Sequence, residues 1–584
     1  MTAPEKVLVI GDDMRSFLAT VRSLGRKGVE VHVAPFDLSA PALTSRYITK
    51  VHSVPVYLDG GGLWLEAMLR LLSTERFAMV IPCDERSLLP LVRHATELSN
   101  FSKLSIPNEQ GMALFFDKHA TRELATSLSI PVAAGKILAP SDTAASIISD
   151  LGLPMIAKHR QSFAWPEIYV RTKATVVRNE AALAAWMADN SVHGEAILFE
   201  KMFPGIGVGV SVLCDRGVVL QAFEHHRVRE FDGSGYYRKS APIDQGRLDA
   251  VARMVAASGY TGIAMFEFKV DQANSEWILL EVNARPWGSL PLPVAIGIDF
   301  PFRLYRLVVH GETTAAVSYR PDLYGRNLIA DFWQARSAMQ TMVRTPGKLA
   351  GYLAGWLFGF RRLLTGHEFH DGTVKDDRQP GSAEIRNTGA ELIGSIRGKL
   401  FGWHEPRRSG LRAAIGKLVQ NARVPINLLV ICDGNICRSP YAAFKLQQLL
   451  AVYGDRFHIT SAGMLPRNQR GSPQVAIDAA ERRGIAMATH RSRYAFLPLI
   501  EGASMILIFD MVNHDSLLKR YPAYMDKVFF VGELAADMEV GGEIGDPIGR
   551  SAAGFDATYT TIDACLDRFA DCVHAAVKAG PADA

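Results

Sequence analysis

The chain of 584 residues is too long for one hydrophobic core, so we expect about three or four domains. Its composition, 48% hydrophobic and 21% charged, is typical of folded proteins and excludes disorder as the dominant state. A formal net charge of +4 gives no support to nucleic acid as a partner. Six scattered cysteines and no signal-peptide pattern favour a cytoplasmic location over an oxidising compartment.

The first 110 residues alternate apolar strands with amphipathic stretches. Strand-like runs such as KVLVIG, VEVHVAP and FAMVIP are separated by helical patterns such as FLATVRSLGRKG. This alternation predicts a small parallel α/β domain at 1–110. The loop GDDM after the first strand lacks the glycine spacing of a dinucleotide-binding turn, so a nicotinamide cofactor is not expected.

Residues 111–315 contain several strand-like runs joined by short turn sequences such as CDRG, and such turns predict antiparallel pairing of the strands. Lysines near strand ends can neutralise nucleotide phosphates, and carboxylates with a carboxamide provide the oxygen ligands that Mg²⁺ requires. Because alternate residues of a strand share one face, Glu281 and Asn283 should lie together, with Glu267 on the preceding strand. The pattern therefore predicts a magnesium site that bridges phosphates.

The segments FEKMFPG and LLEVNARPWGS resemble motifs of the ATP-grasp superfamily of the carboxylate–amine ligase type. With the preceding α/β domain the resemblance covers about 6–311, and it implies ATP and Mg²⁺ as cofactors and a carboxylate activated as an acyl phosphate before an amine attacks it. The residues that it implies are Lys118 and Lys158 at the phosphates, Glu200, Lys201 and Met202 at the adenine, Glu267, Glu281 and Asn283 at the metal, and Arg285 at the transferring phosphoryl group. One departure is Gly207, which stands where the family often has a glutamate for the ribose.

A basic stretch, FEHHRVREFDGSGYYRKS, lies between these two motifs. Its cations either orient an acceptor carboxylate or form a solvated face. The adjacent His225 and His226 do not suit a zinc site, because neighbouring residues of a strand point to opposite faces.

Residues 316–424 are predicted to be a basic helical linker. Between 320 and 424 the chain has 17 lysines and arginines against 9 aspartates and glutamates. The apolar run from Leu349 to Phe360 is too short for a bilayer-spanning helix, which needs about 20 residues. This part of the chain either packs on its neighbours or makes a peripheral membrane contact through 349–362.

The stretch VICDGNICRSP, from Val430 to Pro440, opens a new α/β pattern that we assign to a domain at 425–584. A strand, a tight loop and a helix start bring several backbone N–H groups to one point, which is a binding site for a phosphate-like anion. Arg438 adds a guanidinium fork that can hold two phosphate oxygens. The positive electrostatic potential of these N–H groups and of the arginine also favours the thiolate form of Cys432 at the start of the loop.

This stretch resembles the signature of the low-molecular-weight protein tyrosine phosphatases, and SAG, THRS, ILIFD and GDP continue the resemblance over about 425–576. It implies a central parallel sheet and hydrolysis of phosphotyrosine proteins through a phosphocysteine. The implied residues are Cys432 as nucleophile, Arg438 at the phosphoryl group, Ser439 beside the thiolate, Asn435 as loop support, Asp546 as general acid and Cys437 as a partner for a protective disulfide.

Ile548 stands where the family often has an aromatic residue, so a small phosphorylated metabolite is an alternative substrate. Thiol-coupled arsenate reduction would need a resolving cysteine, and none occurs between Cys437 and Cys565. The whole chain is thus expected to be an α/β multidomain enzyme: an ATP-grasp ligase, a helical linker and a phosphatase domain. The rival hypothesis is a nucleotide-sensing regulatory protein whose phosphatase-like domain only binds anions.

Overall fold

The computed structural model describes residues 5–139, 141–163, 165, 168–169, 171–190, 197–231, 234–342, 346–401, 410–421, 425–535 and 542–579. The chain forms two compact units. The first comprises Met1–Pro35, Ala40–Ser53 and Glu66–Thr388, and the second comprises Phe36–Ser39, Val54–Leu65 and Gly389–Ala584. Among the described residues, no helix combines the length and the apolar character needed to cross a membrane.

The chain begins with a five-stranded parallel sheet of order β3-β2-β1-β4-β5, which confirms the predicted small α/β domain. Four of the five residues of the first strand are buried, and the carboxylate of Asp13 caps the following helix by accepting from the backbone N–H groups of Ser16 and Phe17 at 2.7 and 3.0 Å. Its elements are β1 (Lys6–Ile10), α1 (Ser16–Arg26), β2 (Glu30–Ala34), β3 (Ile48–Val51), α2 (Gly62–Glu75), β4 (Met79–Pro82), α3 (Glu85–Arg93), α4 (Ala95–Leu98) and β5 (Lys103–Leu104).

The second sheet of the first unit has four antiparallel strands in the order β6-β9-β7-β8. Two helices cover its apolar side, where Ile147, Leu183 and Phe199 are fully buried. The helices and strands of this part of the chain are α5 (Glu109–Phe115), α6 (Lys118–Ser127), β6 (Gly135–Ile137), α7 (Ala144–Leu151), β7 (Met155–His159), β8 (Thr175–Val177), α8 (Glu180–Asn190) and β9 (Ile197–Lys201).

The third sheet of this unit has seven strands in the order β14-β13-β10-β11-β12-β15-β16. All its neighbours are antiparallel except the last pair, so the predicted hairpins are confirmed. The strands of this sheet and the helices between and after them are β10 (Ile206–Asp215), β11 (Val218–Phe231), β12 (Ser234–Ala241), α9 (Gln245–Ser258), β13 (Gly262–Val270), β14 (Trp277–Asn283), α10 (Pro291–Ala295), α11 (Phe300–His310), β15 (Tyr324–Arg326), α12 (Leu328–Met342), α13 (Pro346–Gly359), α14 (Arg361–Leu364), β16 (Glu368–His370) and α15 (Gln379–Phe401).

The predicted basic linker is helical over much of its described length, but it is more than a linker. Its strands β15 and β16 extend the seven-stranded sheet, and Arg326 is fully buried between the carboxylates of Glu368 and Asp331 at 2.7 Å from each. The aromatic rings of Tyr237 and Phe360 lie against its guanidinium group. These contacts make most of the segment part of the first unit.

The second unit contains a four-stranded parallel sheet of order β18-β17-β19-β20, as expected for a phosphatase-type domain. The apolar β17 is buried at its centre, and the long C-terminal helix packs on one side of the sheet through Tyr559 and Phe569. Its elements are α16 (Gly410–Asn421), β17 (Ile426–Cys432), α17 (Arg438–Leu449), β18 (Phe457–Gly463), α18 (Gln474–Glu481), α19 (Leu497–Gly502), β19 (Met505–Ile508), α20 (Met511–Arg520), β20 (Val528–Phe530) and α21 (Ala552–Lys578).

Candidate active sites

Cys432 is the last residue of β17, and its sulfur lies inside the loop 432–439 that leads into α17. The backbone N–H of Asn435 donates to Sγ at 3.2 Å, and Ser439 Oγ lies 3.1 Å from the same sulfur. Donors directed at a sulfur favour its anionic form. In contrast, burial and the neighbouring Cys432 raise the pKa of Cys437 to about 12, so this second thiol stays protonated at neutral pH.

Asn435 holds the loop in shape from a fully buried position. Its φ of 51° is in the left-handed region, which an asparagine tolerates better than most residues. Its side-chain amide donates to Ser439 Oγ and Ser461 Oγ at 2.9 Å each, and its Oδ1 accepts from the backbone of Arg493 at 2.8 Å. His490 Nε2 lies 2.8 Å from its carbonyl oxygen. Every polar group of the residue thus has a partner, so the loop is preorganised.

Arg438 is 1% exposed and is held at both ends of its guanidinium group. Nη1 donates to Asp510 at 2.5 Å and to the carbonyl of Ile544 at 2.8 Å, and Nη2 donates to Asp546 at 2.8 Å. The side chain of Asp546 is 34% exposed, so the carboxylate reaches solvent beside the loop. The predicted nucleophile, phosphoryl-binding arginine and acid therefore lie at one end of the parallel sheet.

Asp433 gives this loop a carboxylate of its own. Burial raises its pKa, and the charges of Asp546 and Asp510 raise it further. Ile548, whose backbone N–H donates to Asp546 Oδ1 at 3.0 Å, is 51% exposed. The neutral form of Asp433 is thus favoured, and an aliphatic side chain lies near the loop.

The predicted metal ligands of the first unit lie together on neighbouring strands. Glu267 of β13 is opposite Glu281 of β14, and Asn283 Nδ2 donates to Glu267 Oε1 at 3.2 Å. Burial raises the pKa of Glu267, and the negative charge of Glu281 raises it as well. The positive charge of Arg227 acts in the opposite direction and lowers it. Two carboxylates directly across a strand pair repel each other unless a cation lies between them.

Glu281 and Asn283 line a cavity of about 340 Å³, and Lys118 at the start of α6 lines it as well. In the part of the chain that the structure describes, Glu281 forms no hydrogen bond or ion pair, so its carboxylate is available to a cation. Lys118 Nζ donates to Ser162 Oγ at 2.9 Å, and burial lowers its pKa. The donor set of two carboxylates and one carboxamide fits the oxygen ligands that Mg²⁺ prefers.

Lys158 and Glu200 lie in a smaller pocket that Lys118 also lines. Lys158 Nζ is 2.5 Å from Glu200 Oε2, and Arg122 Nη1 donates to Glu200 Oε1 at 3.2 Å. Both oxygens of Glu200 are thus engaged by cations in this structure. Lys118 lines both this pocket and the cavity at Glu281, so the two pockets are adjacent.

The remaining predicted residues have different surroundings. Lys201 and Met202 follow Glu200 and are exposed, and no contact joins them to the metal ligands among the described residues. Arg285 is close to the ligands, because its Nη2 donates to Asn283 Oδ1 at 3.0 Å and to Glu85 at 2.6 Å. The structure therefore brings Arg285 to the carboxylates and leaves Lys201 and Met202, the pair predicted for the adenine, at the surface.

Several residues of both sites were not predicted from the sequence. They are Asp510, Ser461 and His490 around the loop 432–439 and Glu85 and Arg122 around the carboxylates. Arg227 belongs to the basic stretch that the sequence indicates for an acceptor carboxylate, and in the structure it donates to Glu267. Asp510 and Ser461 stand at or near the carboxyl ends of strands that flank β17, and that position was a usable signal. Of the two adjacent histidines, His225 is 1% exposed, whereas the side chain of His226 is 26% exposed and its Nε2 lies 3.2 Å from Glu224 Oε1.

The family model for low molecular weight phosphotyrosine protein phosphatase matches residues 427–579. Its relatives include the low molecular weight protein-tyrosine-phosphatase Ptp of Acinetobacter johnsonii, 31% identical over 24% of this chain and 92% of that protein. The phosphatase Wzb of Escherichia coli K12 is 29% identical over 26% of the chain and 96% of its own length. A protein-arginine-phosphatase of Geobacillus stearothermophilus is also 29% identical, over 25% and 96%.

Solved structures resemble the other part of the chain at low identity. N5-carboxyaminoimidazole synthetase of Staphylococcus aureus with ADP is 16% identical and covers 54% of this chain and 80% of its own, with a TM-score of 0.42. An L-amino acid ligase of Bacillus licheniformis is 17% identical and covers 56% and 79%, with a TM-score of 0.41. Because this identity is low, we infer the function of the N-terminal part from the residues of its own site.

The phosphatase match is of a different quality, since it spans nearly the full length of the relatives and includes every residue of the loop at Cys432. Through residues 427–579, the chain belongs to the low molecular weight phosphotyrosine protein phosphatase family.

Proposed function

We propose that the protein has two catalytic activities, a phosphatase in residues 425–584 and an ATP- and Mg²⁺-dependent carboxylate–amine ligase in about 6–315. The observation that carries the phosphatase is the geometry at Cys432, whose sulfur accepts a backbone N–H within a loop that also contains the buried Arg438. The observation that carries the ligase is the pair of facing carboxylates, Glu267 and Glu281, of which Glu281 lines a cavity together with Lys118.

The phosphatase reaction proceeds in two steps. Cys432 Sγ attacks the phosphorus and a sulfur–phosphorus bond forms, while the bond to the leaving oxygen breaks and Asp546 protonates that oxygen. Arg438 and the backbone N–H groups of the loop stabilise the charge on the equatorial oxygens. Water then attacks the phosphorus and gives its proton to Asp546, and the sulfur–phosphorus bond breaks to release phosphate and return the Cys432 thiolate.

The substrate that we propose is a phosphotyrosine protein, which the relatives' names suggest. One relative acts instead on phosphoarginine, as its name states. The exposed Ile548 favours a second candidate, a small phosphorylated metabolite, because this position offers an aliphatic side chain and no aromatic ring to pack on a tyrosine. Six free cysteines are consistent with the cytoplasmic location that we include in this proposal.

The phosphatase is tested with p-nitrophenyl phosphate and phosphotyrosine peptides. We expect Cys432→Ser to abolish phosphate release and Asp546→Ala to lower it by about 100-fold or more, the usual contribution of a general acid. Cys437→Ser is the matched control and should keep its activity, because its thiol is protonated in the resting enzyme. Activity that survives Cys432→Ser would contradict the mechanism.

In the ligase, Lys118 and Lys158 neutralise the phosphates of the nucleotide, and Arg285 stabilises the phosphoryl group as it moves to the carboxylate. Magnesium, held by Glu267, Glu281 and Asn283, would offset the negative charge that builds on the transferred phosphoryl group. Arg227 and Asn283 orient Glu267 for this role.

The ligase is tested by ADP formation and by hydroxylamine trapping of an acyl phosphate, with the proteinogenic L-amino acids as carboxylates. We expect EDTA or Glu281→Gln to stop both products and to remove the magnesium dependence of nucleotide binding. Glu276→Gln, in the exposed turn between β13 and β14, is the matched control and should change neither. Tight nucleotide binding without any turnover would instead support the nucleotide-sensing alternative.

A further inference from the structure

A distant part of the chain returns to the first helix of the N-terminal domain. Arg22 of α1, only 3% exposed, donates to the backbone carbonyls of Asp371, Gly372 and Asp377 at 2.7–2.8 Å. It also donates to the carboxylate of Asp377 at 2.9 Å. We call residues 371–384 the return segment. Four hydrogen bonds from one buried guanidinium group fix its position.

The return segment lies beside the residues that follow β1. A Cβ added at Gly372 would be 3.0 Å from Glu384 Oε2 and 3.1 Å from the Cε of Met14, so these residues surround one point. β1 lies between β2 and β4, where the strand order of the parallel sheet reverses. In open α/β sheets, ligands bind outside the carboxyl ends of the strands at this reversal.

The return segment brings two carboxylates to this point. Asp371 is 3% exposed and pairs with Arg238, yet its Oδ2 has no hydrogen-bond partner among the described residues. Glu384, at the start of α15, forms no hydrogen bond or ion pair with described residues. Burial and the charge of Asp371 raise the pKa of Glu384 to about 7, although Arg15 opposes the shift. A cationic group at this point would relieve the repulsion.

Arg15 connects this point with the proposed phosphoryl-transfer site. A Cβ at Gly288 would lie 2.9 Å from the Cζ of Arg15, and Gly288 is three residues after Arg285. Arg15 and Glu384 are both half-buried, and Arg15 lies among the charges of Asp13, Asp371, Arg227 and Arg238. Together they present one cation and one carboxylate, which complement the two charges of an amino acid.

We propose that the return segment completes the acceptor site of the ligase, where Glu384 binds the ammonium group of an amino acid and Arg15 binds its carboxylate. This inference rests on the ligase function proposed above and names its amine substrate class. Asp371 positions the acceptor by keeping the site negative, and Arg22 keeps the segment in place.

The chemical step balances within these groups. Glu384 takes one proton from the ammonium group, and the freed lone pair attacks the acyl carbon. The carbon–nitrogen bond forms as the carbon–oxygen bond to phosphate breaks, and inorganic phosphate leaves. The second nitrogen proton passes to solvent. The charged groups that face Glu384 are Asp371 on the return segment and Arg15 at the start of α1.

The test compares Glu384→Gln with wild-type protein in two assays with MgATP. Hydroxylamine is uncharged at neutral pH, so trapping of the acyl phosphate does not need Glu384, whereas dipeptide formation from the proteinogenic L-amino acids does. We expect Glu384→Gln to keep hydroxamate formation and to lose dipeptide formation by about 100-fold, the usual contribution of an acid–base group. The rise of the wild-type dipeptide rate with pH through about 7 should disappear in the variant.

Arg386→Gln, which removes an exposed charge from the same helix, is the matched control and should leave both assays unchanged. Ethylamine should be a poorer acceptor than glycine, because it lacks the carboxylate that Arg15 binds. Equal dipeptide rates in Glu384→Gln and wild type would overturn the inference, and so would a parallel loss of hydroxamate. Wild-type protein that forms no hydroxamate with any carboxylate would count against the ligase itself.

Discussion

At the scale of single residues, the orientation of Arg438 depends on a residue from another strand. Asp510 follows β19, accepts from Arg438 Nη1 at 2.5 Å, and also caps α20 by accepting from the backbone of Asn513 at 2.9 Å. Because one carboxylate binds both groups, the direction of the Arg438 guanidinium group depends on the position of the first turn of α20. The position of the fork decides whether two phosphoryl oxygens are held in line for attack.

We therefore predict that Asp510→Asn lowers kcat for p-nitrophenyl phosphate by about 10- to 100-fold, the cost of a slightly misplaced catalytic group. An asparagine still caps α20, so the fold should remain and the melting temperature should change little. Asp515→Asn is the matched control, since Asp515 lies on the same helix with its side chain 57% exposed. A normal kcat in Asp510→Asn would show that Asp546 and the carbonyl of Ile544 suffice to orient Arg438.

The residues that could be predicted are those whose chemistry is local in sequence. Cys432, Asn435, Arg438 and Ser439 lie within one loop, so their spacing alone indicates an anion site. Supporting residues such as His490 come from other strands and loops, and only the fold brings them together. Their contribution could not be predicted because it depends on long-range packing.

At the scale of elements, strands whose sequence alternates apolar and polar residues, or is apolar throughout, could be predicted, whereas β15 and β16 could not. Each has three residues, and the side chain that joins them is a charged one, Arg326. Charged residues are ordinarily exposed, so a pattern of hydrophobicity gives no sign of this contact. Both oxygens of Glu368 accept from Arg326, at 2.7 and 3.0 Å, and this ion pair replaces the apolar contact that usually attaches an edge strand.

We predict that Arg326→Met destabilises the first unit by about 3–5 kcal/mol, because it removes the buried guanidinium group that lies between two buried carboxylates. Calorimetry should show a lower melting temperature for one transition and an unchanged transition for the second unit. The matched control is Arg216→Met, whose side chain is 88% exposed and should contribute less than about 0.5 kcal/mol. An unchanged first transition would mean that β15 and β16 are held by other contacts.

At the scale of the whole molecule, the two units have separate hydrophobic cores. The apolar clusters around the first sheet, the antiparallel sheets and the phosphatase sheet each draw their residues from one unit. Each core is large enough to fold its own catalytic residues into place. The two proposed activities should therefore be separable by mutation in the full chain.

We predict that Cys432→Ser leaves magnesium-dependent nucleotide binding unchanged and that Glu281→Gln leaves phosphate release from p-nitrophenyl phosphate unchanged. Both measurements use the full-length protein, and each variant serves as the control for the other. Loss of both activities in either variant would show that the catalytic residues of one unit influence the other.

The contacts of Arg22 also have a consequence for synthesis of the protein on the ribosome. The guanidinium group and the Asp377 carboxylate that binds it are 355 positions apart. At about 5–20 residues per second, the nascent chain waits roughly 20–70 seconds between the emergence of Arg22 and that of its acceptors. During this interval the first helix exposes a charged group that the native fold buries. The N-terminal domain reaches its final structure only after most of the first unit has been translated.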